Sequence, residues 1–259
     1  MAKFTLPRDH MSVTQVEMFL RCARQYEFRY PKGIKVAPAI AMAEGGNYHD
    51  VLAENNTKKA KSGTDLSLKR LMDVFRARLD GRTEEVEDWE GETVDSLMTR
   101  AEPLLGAYLA GPGMRIWPVT GGVERELKFK INGIPFLGYV DVETGEAGPG
   151  TAIKKAVIDY KVTGRAKGQS DVDSSLQLSA YAMGTKKKHV GFCSLIKSKA
   201  ARTDMKLSTR TKRDLVWFGK VVGAVATLIS AGSFAPCDPT SWCCDPRYCG
   251  YYSMCRGAK

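Results

Sequence analysis

The chain has little histidine, three in 259 residues, and no long tract of a single charge sign. It also lacks an internal repeat and a low-complexity linker, which excludes solenoids, arrays and long disordered tails. Residues Met1 to His10 contain no apolar run of the secretory kind, so the expectation is an intracellular protein with reduced cysteines. No long apolar stretch is free of interruption. The most apolar segment, Leu215 to Phe234, holds Lys220, three glycines and two serines. It reads as a buried helix rather than a membrane span. Paired C-x-x-C knuckles, the usual zinc signature, are missing from the cysteine-rich end. The cysteines number seven, and an odd count in a reducing compartment argues against a disulfide framework.

What is present is an ordinary globular balance, 43% hydrophobic and 26% charged residues, on a length that can bury a sizeable core. The net charge is +10. That suits a polyanionic partner, because lysines and arginines that meet phosphates release counterions. Basic clusters stand at Lys58-Lys59-Ala60-Lys61, at Lys186-Lys187-Lys188 and at Arg210-Thr211-Lys212-Arg213.

Ser12, with Gln15 three residues on, starts a helix whose apolar stripe runs through Val16, Phe19, Leu20, Ala23 and Phe28 to a stop at Pro31-Lys32-Gly33. A second helix begins near Ala43 and carries His49 and Leu52. Residues 55–109 are helical in period, and Gly111-Pro112-Gly113 ends them. The period then becomes two. Val123, Arg125, Leu127, Phe129 and Ile131 alternate with Glu124, Glu126, Lys128 and Lys130, and Asn132-Gly133 marks a hairpin. The return strand, Ile134 to Val142, delivers Asp141. A glycine-rich loop leads to a strand bearing Asp159 and Lys161. A helix from about Ser174 to Thr185, a strand from His189 to Ile196, a helix capped by Ser208 or Thr209 and ending at Ala231, and a loop-like tail complete the chain. Strands interleaved with helices predict an α/β fold, a mixed sheet with helices packed on it.

Chemistry concentrates in Val157-Ile158-Asp159-Tyr160-Lys161. Residues two apart on a strand share a face, so Asp159 and Lys161 point one way and Ile158 and Tyr160 the other. A charge pair on a half-buried strand is costly unless something uses it. A divalent cation with carboxylate ligands, Asp141 supplying the second, is the natural user. His49, in Glu44-Gly45-Gly46-Asn47-Tyr48-His49-Asp50, is a candidate ligand. Gln177 and Tyr181, four residues apart on a helix, share a face that follows the Asp–x–Lys strand by one connection.

In this order, G-x-x-x-H, G-Y-V-D, I-D-Y-K and Q-x-x-x-Y resemble the RecB-type exonucleases of the PD-(D/E)XK nuclease group. That family includes the RecB and AddB nuclease domains, CRISPR-associated adaptation nucleases and many phage exonucleases. The resemblance spans roughly residues 12–255. It implies a restriction-endonuclease-like core as one nuclease domain over residues 1–259, with a helical insertion at 50–118 and a cysteine-rich tail at 233–259 closing onto the first helix. It implies His49, Asp141, Asp159 and the carbonyl of Tyr160 as ligands of magnesium or manganese. Lys161 takes the place of the catalytic lysine, and Gln177 and Tyr181 that of the accessory motif. Glu124 matches the acidic residue on the preceding strand, though Glu126 is expected on the same face.

The implied activity is metal-dependent DNA exonuclease action at single-stranded ends in phage-type recombination, replication or repair. A CRISPR-adaptation end-processing nuclease, or a catalytically silent DNA-binding subunit of the same fold, are the alternatives. The implied partners are DNA, a second copy of the chain or a recombination or adaptation protein, with no membrane. The implied location is cytoplasmic, in the host cell if the chain is phage-encoded. Lys and Arg side chains on the 50–118 segment are expected to line the strand, with Tyr48 and Trp89 as aromatic candidates for stacking on bases.

Five of the cysteines stand at or after Cys237. Cys244, Cys249 and Cys255 supply three thiolates and need a distant fourth, for which Cys22 is the candidate. Zinc is one occupant. The resemblance implies another, a structural 4Fe-4S cluster held by Cys22, Cys244, Cys249 and Cys255. Cys243, adjacent to Cys244, is an alternative ligand, and Cys193 reads as a small core residue.

Overall fold

The computed structural model describes residues 4–257. By its contacts the chain falls into two compact units. One gathers residues up to Ala37, Leu127–Gly138 and the segment from Thr211 onward; the other gathers Pro38–Glu126 and Tyr139–Arg210.

The first unit begins with α1 (Val13–Arg21), where Ser12 Oγ accepts the N–H of Gln15 at 3.3 Å. The expected single helix is in fact two. Cys22 is extended, with φ −162° and ψ 106°, and α2 (Ala23–Arg29) starts after it. Neither proline nor glycine forces this break. It is tolerated because Cys22 N–H still donates to Met18 and its carbonyl accepts from Tyr26, so both helix ends stay satisfied. Phe19, Tyr26 and Phe234 pack ring to ring. The hairpin tip has Asn132 at φ 53° and Gly133 at φ 84°. Both lie in the left-handed region, as a type I′ turn requires. The long helix α8 (Lys212–Ser230) buries Phe218, Val222, Val225 and Ile229. Its cap is Thr211, in a reciprocal box with Asp214, rather than Ser208 or Thr209. The tail, expected as loop, contains one short helix, α9 (Tyr252–Arg256).

The second unit holds α3 (Ile40–Ser62), α4 (Leu68–Thr83) and α5 (Val94–Ala110), then a 3-10 turn over Pro112–Arg115. The hairpin strands β1 (Pro118–Ile131) and β2 (Ile134–Thr144) run through both units. The sheet continues with β3 (Ala156–Thr163), β4 (His189–Ile196) and β5 (Arg202–Thr209) in the order 1-2-3-4-5. β3 and β4 are parallel, whereas β2–β3 and β4–β5 are antiparallel. A parallel neighbour needs a crossover. Here α6 (Gln169–Asp173) and α7 (Leu176–Thr185) provide it. Both α6 and β5 depart from the expected order of elements. β5 has only Met205 and Leu207 as large apolar residues, too weak an alternation to announce a strand, and it forms through its ladder to β4.

One continuous core joins α3, α4 and α5 to a face of the sheet through Tyr48, Leu52, Phe75, Leu105, Ile158 and Tyr160. Tyr48 is therefore fully buried, edge-on to Phe75, and is not available to a base. Trp89 is half-buried against the same core. Lys59, counted above among the basic clusters, is also buried. Its ammonium meets Asp65 at 2.8 Å and the Gly113 carbonyl at 2.7 Å. No helix among the described residues is long and apolar enough to cross a membrane.

Candidate active site

Strand alternation places the central residues as expected. Tyr160 turns its ring into the helical core, where its hydroxyl accepts from Asn56 at 2.7 Å and meets Tyr108 at 3.0 Å. Ile158 is buried in that core as well. Asp159 and Lys161 face the other way, toward α7. The Lys161 ammonium lies 2.7 Å from Asp159 Oδ2 and donates to Gln177 Oε1 at 2.7 Å. Gln177 Nε2 donates to Asp159 Oδ1 and to the Tyr181 hydroxyl, both at 2.8 Å, and Tyr181 donates to the same Oδ1 at 3.3 Å. One turn of helix thus fixes both the carboxylate and the ammonium. Phe192, directly opposite Asp159 on β4, lies under the Lys161 ammonium at 5.1 Å from the ring centre. The sequence reading did not single out Phe192. Only its register on β4 marks it.

Asp141 ends the regular pairing of β2 with β3. Past Val142–Ile158, the N–H of Tyr160 donates to Asp141 Oδ2 at 2.6 Å instead of to a β2 carbonyl. The same oxygen lies 3.2 Å from Nδ1 of His49 on α3. Glu124 has φ 48°, a left-handed conformation rare for a residue with a side chain. Held there, it offers a ligand atom that clusters with those of His49 and Asp141, all within 4.8 Å of one another. Glu126 is occupied differently, accepting from Tyr139 at 3.4 Å. The ambiguity between these two glutamates is thereby resolved in position.

The electrostatics are those of crowded carboxylates. Partial loss of hydration, then the charge of Asp141, pushes Glu124 up to about 7, although the residue keeps an exposed surface that screens part of this effect. Burial also raises Asp159, and Lys161 only partly offsets it. Burial alone lowers His49, but the hydrogen bond and charge of Asp141 outweigh it and raise the imidazole to about 9. Asp159 Oδ2 is buried and receives no aligned hydrogen bond, its close contact being the ion pair with Lys161. Oxygen donors and an imidazole form a set that suits a hard divalent cation.

The family model of the PD-(D/E)XK nuclease superfamily matches residues 10–256. The chain belongs to that superfamily. Among solved structures, a putative exonuclease from Eubacterium rectale shares the fold at 15% identity and a TM-score of 0.53, over 91% of this chain and 87% of that one. SSO0001 aligns at 12% identity and a TM-score of 0.42, over 96% of this chain and 87% of that one. No curated protein matches. The five-stranded mixed sheet flanked by helices agrees with the restriction-endonuclease-like core expected of this nuclease. Nucleases of this superfamily use divalent metal ions, and the His49, Glu124 and Asp141 group fits one.

A second polar group lies in the first unit. Six cysteines, Cys22, Cys237, Cys243, Cys244, Cys249 and Cys255, line one cavity. Partial loss of hydration raises the Cys255 thiol, with the charge of Arg24 opposing it. The sulfurs of Cys237 and Cys243 lie 3.4 Å apart. Cys193 is fully buried in the second unit's core, as a small apolar residue would be.

Proposed function

We propose that this nuclease is a metal-dependent exonuclease acting on single-stranded DNA ends, in phage-type recombination, replication or repair. The observation that carries the reading is the Lys161 ammonium, held between Asp159 and Gln177, together with the group formed by His49, Glu124 and Asp141. His49, Asp141 and Asp159, with the Tyr160 carbonyl and Glu124, are the residues that hold magnesium or manganese. When bound, such an ion polarises the scissile phosphate and lowers the pKa of a water. Each protein group then has a task. His49 gives up its proton to become a ligand. Asp159 keeps its orientation through Gln177 and Tyr181. Lys161, fixed at 2.7 Å from Gln177, presents its N–H groups to the charge that develops on phosphate oxygens.

The test is cleavage of end-labelled single- and double-stranded DNA with magnesium or manganese. Cleavage that survives both Asp159→Ala and Lys161→Ala, or survives chelation, removes this site from the reaction.

In the first unit, Cys22, Cys244, Cys249 and Cys255 are proposed to hold a structural 4Fe-4S cluster. Four thiolates suit either zinc or an iron–sulfur cube. One zinc ion draws its sulfurs to about 3.8 Å apart, given Zn–S bonds of about 2.3 Å.

A further inference from the structure

The helices α3 and α4 meet along a row of ion pairs beside the metal-binding group. Arg82 on α4 grips Asp50 with two parallel bonds, Nε to Oδ2 at 2.6 Å and Nη2 to Oδ1 at 2.5 Å. Asp50 directly follows His49. One turn earlier on the same face of α3 stands Gly46, and Arg82 lies flat against it. A Cβ on Gly46 would sit 3.1 Å from Arg82 Nη1. The guanidinium therefore spans one turn of bare helix, fixed in place at the position next to a candidate ligand. Glu124, another of those ligands, adds to the charge that favours the ionised guanidinium. Arg82 stays 45% exposed, with Nε and Nη2 carrying its hydrogen bonds to Asp50. Four residues back along α4, Arg78 makes a single, longer contact to Glu54, Nη2 to Oε2 at 3.5 Å, a carboxylate it shares with Arg70, and is 50% exposed. That spacing advances about 6 Å along the helix.

We infer that Arg82 is a substrate-positioning residue that binds a DNA phosphate next to the one being cut, with Arg78 continuing the track away from the metal site. The inference rests on the nuclease reading above and names the contact that holds the strand. An arginine whose one edge is fixed by a carboxylate presents its other edge preorganised, and the planar fork matches two phosphate oxygens. Asp50 orients the guanidinium, and Gly46 gives it room. Phosphate contacts of this kind set register along the strand without reading bases.

The experiment measures binding of a fluorescein-labelled single-stranded oligonucleotide, in chelator so that it is not cut, across a series of salt concentrations. Cleavage with magnesium is measured in parallel. Arg82→Ala is expected to weaken binding on the order of tenfold for every sequence tested. It is expected to make the slope of log affinity against log salt shallower by about 0.7, one phosphate contact on a single strand. In cleavage, KM should rise much more than kcat falls. Arg82→Lys should keep the wild-type salt slope while recovering only part of the affinity, because the charge remains and the fork is lost. Melting temperatures of the variants separate a folding defect from a binding one. Wild-type protein that binds and cuts DNA, with Arg82→Ala unchanged in affinity and slope, would overturn the inference and leave a surface ion pair. Wild-type protein that neither binds nor cuts DNA would overturn the nuclease reading itself, and this inference with it.

Discussion

Single residues decide the chemistry here through their neighbours. Asp159 is useful because Gln177 and Tyr181 spend hydrogen bonds on one oxygen and leave the other to Lys161. Lys161→Ala is expected to lower kcat by about 100-fold or more while the melting temperature stays close to wild type, read by single-turnover cleavage. Most of this constellation was legible in the chain. The i, i+2 spacing of Asp159 and Lys161, and the i, i+4 spacing of Gln177 and Tyr181, already put each pair on one face. Glu124 was not separable from Glu126, because strand alternation treats them alike. A left-handed φ and the position of His49 distinguish them. Arg82 was silent for a different reason. Its partner is 32 residues away, and their meeting depends on how α3 packs on α4.

The same residues set a pH dependence. Glu124 has a folded value of about 7 against an ordinary 4.5, so between those values the folded protein holds a proton that the unfolded chain releases. Its contribution to stability is present below about 4.5 and is lost as pH rises to about 7. His49, raised from 6.5 to about 9, adds a second loss between those two values. The melting temperature of chelated protein should therefore fall as pH rises from about 5 to about 9. Magnesium should restore more of it at the upper end, since a ligated cation takes the place of the protons. Glu124→Gln should flatten the lower limb. A metal-free melting temperature that climbs over this range contradicts the assignment.

At the scale of elements, sequence periodicity found the long helices and the strands that bury a full face, but not the short α6 and α9. It failed where tertiary contact alone makes the structure. β5 is held by its ladder with β4 rather than by its own pattern, and the break between α1 and α2 falls at Cys22 with no local breaker. The end of α3 illustrates a cost that composition hides. Lys59 looks like one of a run of surface lysines, yet its side chain is 3% exposed and paired with Asp65. Asp65→Ala leaves that ammonium short of its counter-charge. It should destabilise the protein by about 3 kcal/mol in denaturant unfolding. Lys59→Met with Asp65→Ala should recover much of the loss, because the orphaned charge goes with it.

For the molecule as a whole, the net charge of +10 favours a polyanion and makes its binding salt-sensitive. The thiol cavity gives a second global readout. Protein purified without oxygen should be brown and carry iron, with broad visible absorbance. Cys249→Ser and Cys22→Ser should each lose the colour and lower the unfolding temperature. Colourless protein with stoichiometric zinc would replace the cluster assignment.

The composition of the first unit also bears on how the chain is made. It draws on three separated stretches, the earliest residues, a hairpin tip and the segment beyond Thr211. During synthesis α1 and α2 emerge first, yet Phe19 and Tyr26 cannot meet Phe234, nor Cys22 the later cysteines, until more than two hundred further residues have followed. Contacts so distant in sequence form slowly and late. The proposed catalytic residues of the second unit are therefore all translated before the first unit has the material to close. A ribosome stalled within α8 would display His49, Asp141, Asp159 and Lys161 on a chain whose cysteine cavity does not yet exist.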